Sequence, residues 1–133
     1  MPTLTSQQLS ELGDRFLALA QGVGNFRMQQ RAALSRLEHQ QLRDLHWTLL
    51  NYADDLYTTS ARLVMDEVEA SLARVKSLTS RIQRTFKNVR RVQKLIDLAA
   101  AAITLGGAIF SKNPKAILDA IAALEKRWKA ADE

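Results

Sequence analysis

Apolar residues recur at steps of three and four along almost the whole chain, and that period predicts helices from one end to the other. In the longest run, Ala61, Met65, Val68, Leu72, Val75, Thr79, Ile82, Phe86, Val89, Gln93, Ile96, Ala100 and Ile103 keep the spacing of a coiled-coil seam. Unbroken, this helix would be about 64 Å long at 1.5 Å per residue. No Gly or Pro lies between Asn25 and Leu105, so no strong breaker interrupts the central part of the chain. The reading is an all-α protein of three to five helices, either an elongated helical bundle or a set of long-helix hairpins with 3-4 seams.

The first helix is announced by Thr5, with Gln8 placed for a capping box and Leu4 placed to staple onto Leu9. Its stripe is Leu9, Leu12, Phe16, Leu19 and Val23, and Gly22-Val-Gly-Asn25 offers a stop followed by a new cap at Asn25. A return about residues 23–24 would set Glu11 beside Arg36, and Asp14 beside Arg31 or Arg36. The second helix has two apolar faces. Leu42, Leu45, Leu49, Tyr52, Leu56 and Leu63 make one, while Trp47, Leu50 and Tyr57 make another, so the helix calls for two partners: as the middle of a bundle, or as an element shared between copies. The stripe changes phase between Asn51 and Ser60, which makes that stretch the expected bend; Leu78-Thr-Ser-Arg81 is a weaker one.

Leu98 to Phe110 is an uncharged Ala/Ile/Leu/Gly segment of 13 residues, short of the roughly 20 that a membrane-crossing helix needs. Gly106 and Gly107 are placed to end the helix, and Asn113 with Pro114 to cap and begin the next. The last helix then returns antiparallel about residue 112 on the stripe Ile117, Ile121, Leu124 and Trp128, bringing Asp97 to Arg127 and Glu133 to Arg91. One all-helical domain over residues 1–133 follows, made of a hairpin at about 5–50, a long central basic helix at about 57–105 and a C-terminal helix at 114–130.

Charge changes the picture in the centre. Residues 71–96 carry eight basic side chains and no acid, namely Arg74, Lys76, Arg81, Arg84, Lys87, Arg90, Arg91 and Lys94, whereas residues 51–70 carry five acids and one base. On a helical wheel the basic residues fall opposite the apolar set, so this is a two-faced helix inside a chain of net charge +5. Three explanations follow, in descending order. The basic face is solvated or meets the acidic segment of another copy, it lies on an anionic membrane surface, or it contacts nucleic acid phosphates. No aromatic residue sits on that face to stack a base.

Chemistry is sparse. The chain has no Cys, which removes disulfides, thiol nucleophiles and Cys metal sites. His39 and His46 are preceded three residues earlier by Arg36 and Arg43, not by the carboxylates of a helical di-metal site, so they read as surface or hydrogen-bonded histidines. Asp54-Asp55 and Asp66-Glu67 are adjacent pairs, which a helix points about 100° apart. No phosphate loop, nucleophile elbow or cofactor fingerprint is present, and neither an enzyme nor a cofactor is expected. The N-terminus has neither the basic start nor the apolar core of a secretory signal, so a cytoplasmic or otherwise unsignalled protein is expected.

The leading functional expectation is a non-enzymatic interaction or structural protein that associates through helices with itself or with an acidic protein partner. Its seam would be Val68, Leu72, Val75, Ile82, Phe86 and Val89, and a homo-oligomer would cover whatever part of that seam the terminal helices leave open. The alternative is a membrane-active protein that docks by the basic face and inserts the hairpin formed by Ile103, Leu105, Gly106, Gly107, Ile109 and Phe110, by fold-level analogy with pore-forming helical toxins. Nucleic-acid binding is third.

Overall fold

The computed structural model describes residues 3–59 and 62–132, the side chains of 131 and 132 excepted. Five helices follow one another, α1 (Ser6–Gln29), α2 (Arg36–Thr58), α3 (Val68–Asn88), α4 (Val92–Phe110) and α5 (Pro114–Asp132), with no strand among the described residues. The protein is an all-α bundle. Ser60, in the expected bend, Ala61, at the start of the apolar run, and Glu133, the expected mate of Arg91, lie outside the described residues.

Helix starts follow local chemistry. The Thr5 hydroxyl accepts from Gln8 N at 3.1 Å while the Gln8 side chain accepts from Thr5 N at 2.8 Å, closing a capping box. Ser35 and Glu38 repeat the arrangement at α2, again at 3.1 and 2.8 Å. Asn113 caps α5, its Oδ1 accepting from Lys115 N and Ala116 N, with Pro114 in the first helical position.

Two expected helix stops lie inside helices. Gly22-Val-Gly-Asn25 does not end α1, which runs on to Gln29. These glycines provide close approach instead: a Cβ at Gly22 would lie 2.8 Å from Phe86 Cδ2, and one at Gly24 3.1 Å from His46 Nδ1. The turn falls at residues 30–35, so the α1–α2 register differs from a return about residues 23–24. Asp14 accepts from the Tyr57 hydroxyl, and Glu11 meets Lys76 rather than Arg36. Gly106 and Gly107 are likewise interior to α4.

The central helix of about 57–105 is not continuous. Its first break comes after Thr58, at the far edge of the expected bend, where the connector buries Leu63 and Met65 and ties Leu4 N to Leu63 O at 2.9 Å. A second break comes at Val89–Arg91, where Val89 and Arg91 are extended. Leu78-Thr-Ser-Arg81 stays inside α3, with the buried Thr79 hydroxyl donating to Val75 O at 2.8 Å. The physical reason for both breaks is the seam, which a single long rod would leave in water at about 25 cal/mol per Å² of apolar area. Folding α3 back onto α1 buries it within one chain.

The core sits around α1, which packs on α2, α3 and α4. Its Leu12, Phe16, Leu19 and Val23 are fully buried, as are Leu42 and Leu49 of α2, Val75 and Ile82 of α3, Leu95, Leu98 and Leu105 of α4, and Ile117 and Ile121 of α5. α3 runs parallel to α1, because Lys76 meets Glu11, Ser80 accepts from Arg15 and Phe86 reaches Gly22, all at nearly constant separation in sequence. α4 and α5 form the expected antiparallel hairpin, with Lys94 Nζ donating to Ala130 O at 3.0 Å. Asp97 and Arg127 line the same shallow groove without an ion pair between them.

Candidate interaction surfaces

The basic run divides in two. Arg74 donates twice to Glu125 Oε1, at 3.2 Å from Nε and 2.7 Å from Nη2, and thereby links α3 to α5. Lys76 pairs with Glu11 at 2.5 Å and links α3 to α1. Arg81 lies 5.4 Å from the ring centre of Trp128, a cation–π contact, while Trp128 Nε1 donates to the Thr85 hydroxyl at 3.1 Å. Trp128 is therefore half-buried at the α3–α5 crossing, with its ring packed on the core and its polar edge satisfied. These surface ion pairs contribute about 0.2–1 kcal/mol each; their main effect is to fix which helix faces which. Arg74 and Lys76 thus meet intramolecular acids, while Arg81, Arg84 and Lys87 form no ion pair among the described residues.

The remaining cations gather at the corner between α3 and α4. Arg84, Lys87, Arg90 and Arg91 are exposed and form no ion pair among the described residues. Arg91 occupies the cap position of α4 without a side-chain cap bond, so the positive end of that helix dipole adds to the same corner.

The α3 seam is occupied. Leu72, Val75, Ile82 and Phe86 are buried and Val68 and Val89 are partly buried, all inside one chain. The apolar hairpin is also largely core. Leu105, Gly106 and Ile109 are buried, Ile103 and Phe110 are half-buried and Gly107 is exposed, with Phe110 stacked on Tyr52 at 5.9 Å. By length and composition alone, α4 reaches 19 residues with a mean hydropathy of 1.4, enough to cross a membrane.

Both histidines are hydrogen-bonded to backbone. His46 Nδ1 donates to Ala20 O at 2.7 Å and locks α2 to α1, and His39 Nε2 donates to Arg31 O at 3.0 Å. The Tyr57 hydroxyl donates to the Asp14 carboxylate, and partial burial together with that bond and the charges of Asp14 and Asp54 pushes it up to about 12.

What remains outward is the second face of α2. Trp47 is 54% exposed and Tyr57 40%, the latter lying over Gly13 of α1, with Leu50 half-buried against the core between them, and Met28 and Leu37 are each 63% exposed elsewhere on the same hairpin. Sequence periodicity shows this face, but the longer 3-4 run drew the expected seam to α3, where the core covers it. The signal that separates the two is the number of apolar faces: α3 has one, which the core takes, while α2 has two, and the core takes one and only the edge of the other, leaving Trp47 outside. No protein-family model, no curated protein and no solved structure matches this chain.

Proposed function

We propose that this is a non-enzymatic association protein that works through helix-on-helix contact with a copy of itself or with another helical protein. The observation that carries this reading is the outer face of α2, where Trp47 stands exposed on a 3-4 stripe with the half-buried Leu50 and the partly exposed Tyr57 at its edge, while the opposite face is buried in the core. A large aromatic held in water at the middle of a regular stripe is the usual anchor of a helix interface. Light scattering on the full chain, with anionic vesicles in a parallel flotation, tests it. The expected result is an oligomer that does not float. A monomer that floats with anionic vesicles refutes it.

That second outcome belongs to a membrane-surface reading, favoured by Arg84, Lys87, Arg90 and Arg91 at the α3–α4 corner. Nucleic acid would use the same cations and would show a steep loss of affinity with salt. Insertion of α4 is a heavier demand than surface contact. Leu95, Leu98, Leu105 and Ile109 would pass from the core into lipid, and the faces of α1, α2 and α5 that they now cover would be left open to water.

A further inference from the structure

We infer that the occupant of the outer α2 face is a second copy of this chain, docked antiparallel about a two-fold axis that crosses α2 between Thr48 and Leu49. This rests on the association reading above and specifies its partner and register.

The stripe is Gln40, Arg43, Trp47, Leu50, Asp54 and Tyr57, with steps of three and four throughout, the pattern of a and d positions in a coiled coil. Gln40, Arg43, Trp47 and Asp54 are exposed on the side of α2 away from its buried residues Leu42, Leu49, Ala53 and Leu56, while Leu50 and Tyr57 lie at the edge of that side, Leu50 half-buried against the core and Tyr57 lying over Gly13 of α1 with its hydroxyl on Asp14. Chemically the stripe is complementary to its own reverse. Turned about the axis, Trp47 meets the partner's Leu50, Arg43 meets the partner's Asp54, and Gln40 meets the partner's Tyr57. Each contact occurs twice, as an isologous interface requires. A parallel pairing of the same stripe would put Arg43 on Arg43 and Asp54 on Asp54, and like charges set face to face oppose association.

Within one chain the two charges have no use for each other. Eleven residues of helix put about 16.5 Å between Arg43 and Asp54, beyond the reach of an arginine side chain. Arg43 has only a loose contact to its neighbour Asp44, 3.9 Å long with both side chains more than half exposed, and Asp54 forms no ion pair among the described residues. The central anchor is a Trp, with an Arg beside it and a Tyr at the end of the stripe, the three residue types most enriched where interfaces concentrate their binding energy.

Charge reversal tests the register without touching the core. Arg43→Glu and Asp54→Arg each place two like-charge contacts across the axis, and each should weaken dimerisation about tenfold or more by sedimentation or light scattering. Circular dichroism should stay near wild type, and so should thermal melting at concentrations too low for the wild type to dimerise, because both positions are exposed in the single chain. Mixing the two variants should restore a dimer, since the carboxylate introduced at position 43 of one chain then faces the guanidinium introduced at position 54 of the other, and the remaining pair is native. A wild-type mass of 14.9 kDa at several hundred micromolar overturns the second copy as occupant. An oligomer indifferent to both reversals overturns the α2 interface while leaving the association reading standing. Loss without recovery on mixing overturns the antiparallel register.

Discussion

Gly106 and Gly107 are adjacent in α4, yet replacing each by Ala should move stability in opposite directions. Both start from the same gain, since Ala in a helix interior is favoured over Gly by about 0.8–1 kcal/mol. The surroundings decide the sign. A Cβ on Gly107 meets only the Tyr52 hydroxyl at 3.4 Å, an ordinary contact, so Gly107→Ala should stabilise by about 0.5–1 kcal/mol. A Cβ on Gly106 would lie 2.8 Å from Tyr52 Cδ2 and 3.0 Å from Cε2, inside the closest approach of such atoms. That ring has little room to swing, because it stacks on Phe110 at 5.9 Å and lies tilted on Phe16 at 6.0 Å. Overpacking costs about 1–3 kcal/mol, and a ring held on two sides puts the cost toward the upper end, leaving Gly106→Ala destabilised by about 2 kcal/mol. The gap between the variants is then about 2–3 kcal/mol, or about 6–10 °C in melting temperature for a chain of this size. Thermal melting followed by circular dichroism measures it. If Gly106→Ala melts at or above Gly107→Ala, the close packing of α4 against Tyr52 is wrong.

Val75→Asp puts a charge at a fully buried position and should destabilise by at least about 4 kcal/mol, so denaturant titration should show loss of the fold and not merely of an assembly. Lys112 holds a left-handed backbone (φ 61°) between α4 and α5, and Lys112→Gly should raise stability by about 1 kcal/mol in the same titration. Tyr57 should ionise late. Its hydroxyl is raised from 10.0 to about 12, so the folded chain holds this proton more tightly than the unfolded one, and the resulting stabilisation is complete below pH 10 and lost as pH rises toward 12. Alkaline titration of tyrosinate absorbance should show one late step that Tyr57→Phe abolishes.

Features set by near neighbours in sequence were legible, and those set by distant partners were not. Thr5 with Gln8, and Asn113 with Pro114, mark real helix starts because a cap is made within three residues. The α4–α5 return about residue 112 follows from the same local turn, and Lys94 meeting Ala130 keeps that register. Gly22 and Gly24 misled because a glycine that ends a helix and one that admits a neighbouring ring look alike until the neighbour is known. Ser35-Arg-Leu-Glu38 carries the same capping signature as Thr5 and marks the true start of α2. The break at Val89–Arg91 lacks Gly and Pro, but its sequence holds a warning. In a continuous helix Lys87 would face Arg91, and Arg90 would face Lys94, like-charge pairs each unfavourable by about 0.2–0.5 kcal/mol. The basic face was only half readable because Glu125 is 51 residues from Arg74 and Arg15 is 65 from Ser80, distances at which periodicity says nothing about contact. Trp47, Leu50 and Tyr57 were visible as a second face of α2; which face the core would claim was not.

The parallel pairing of α1 with α3 has a kinetic consequence. Contacts within the terminal hairpins close over 26 residues, as in His46 with Ala20, or 36, as in Lys94 with Ala130, whereas Arg15 and Ser80 are 65 apart. The extra loop-closure entropy from 36 to 65 residues is only about 0.5 kcal/mol, so it orders the events without forbidding any. The expected sequence is two hairpins that close early, each on nearby contacts, and that meet through Tyr52 against Gly106 and Phe110, with α3 as the clasp laid across α1 and α5. Until the clasp is shut, the apolar stripe of α1 facing α3 stays open to water. During synthesis that interval lasts at least until Asn88, the end of α3, has left the ribosome, and it is the period in which this chain is most exposed to aggregation.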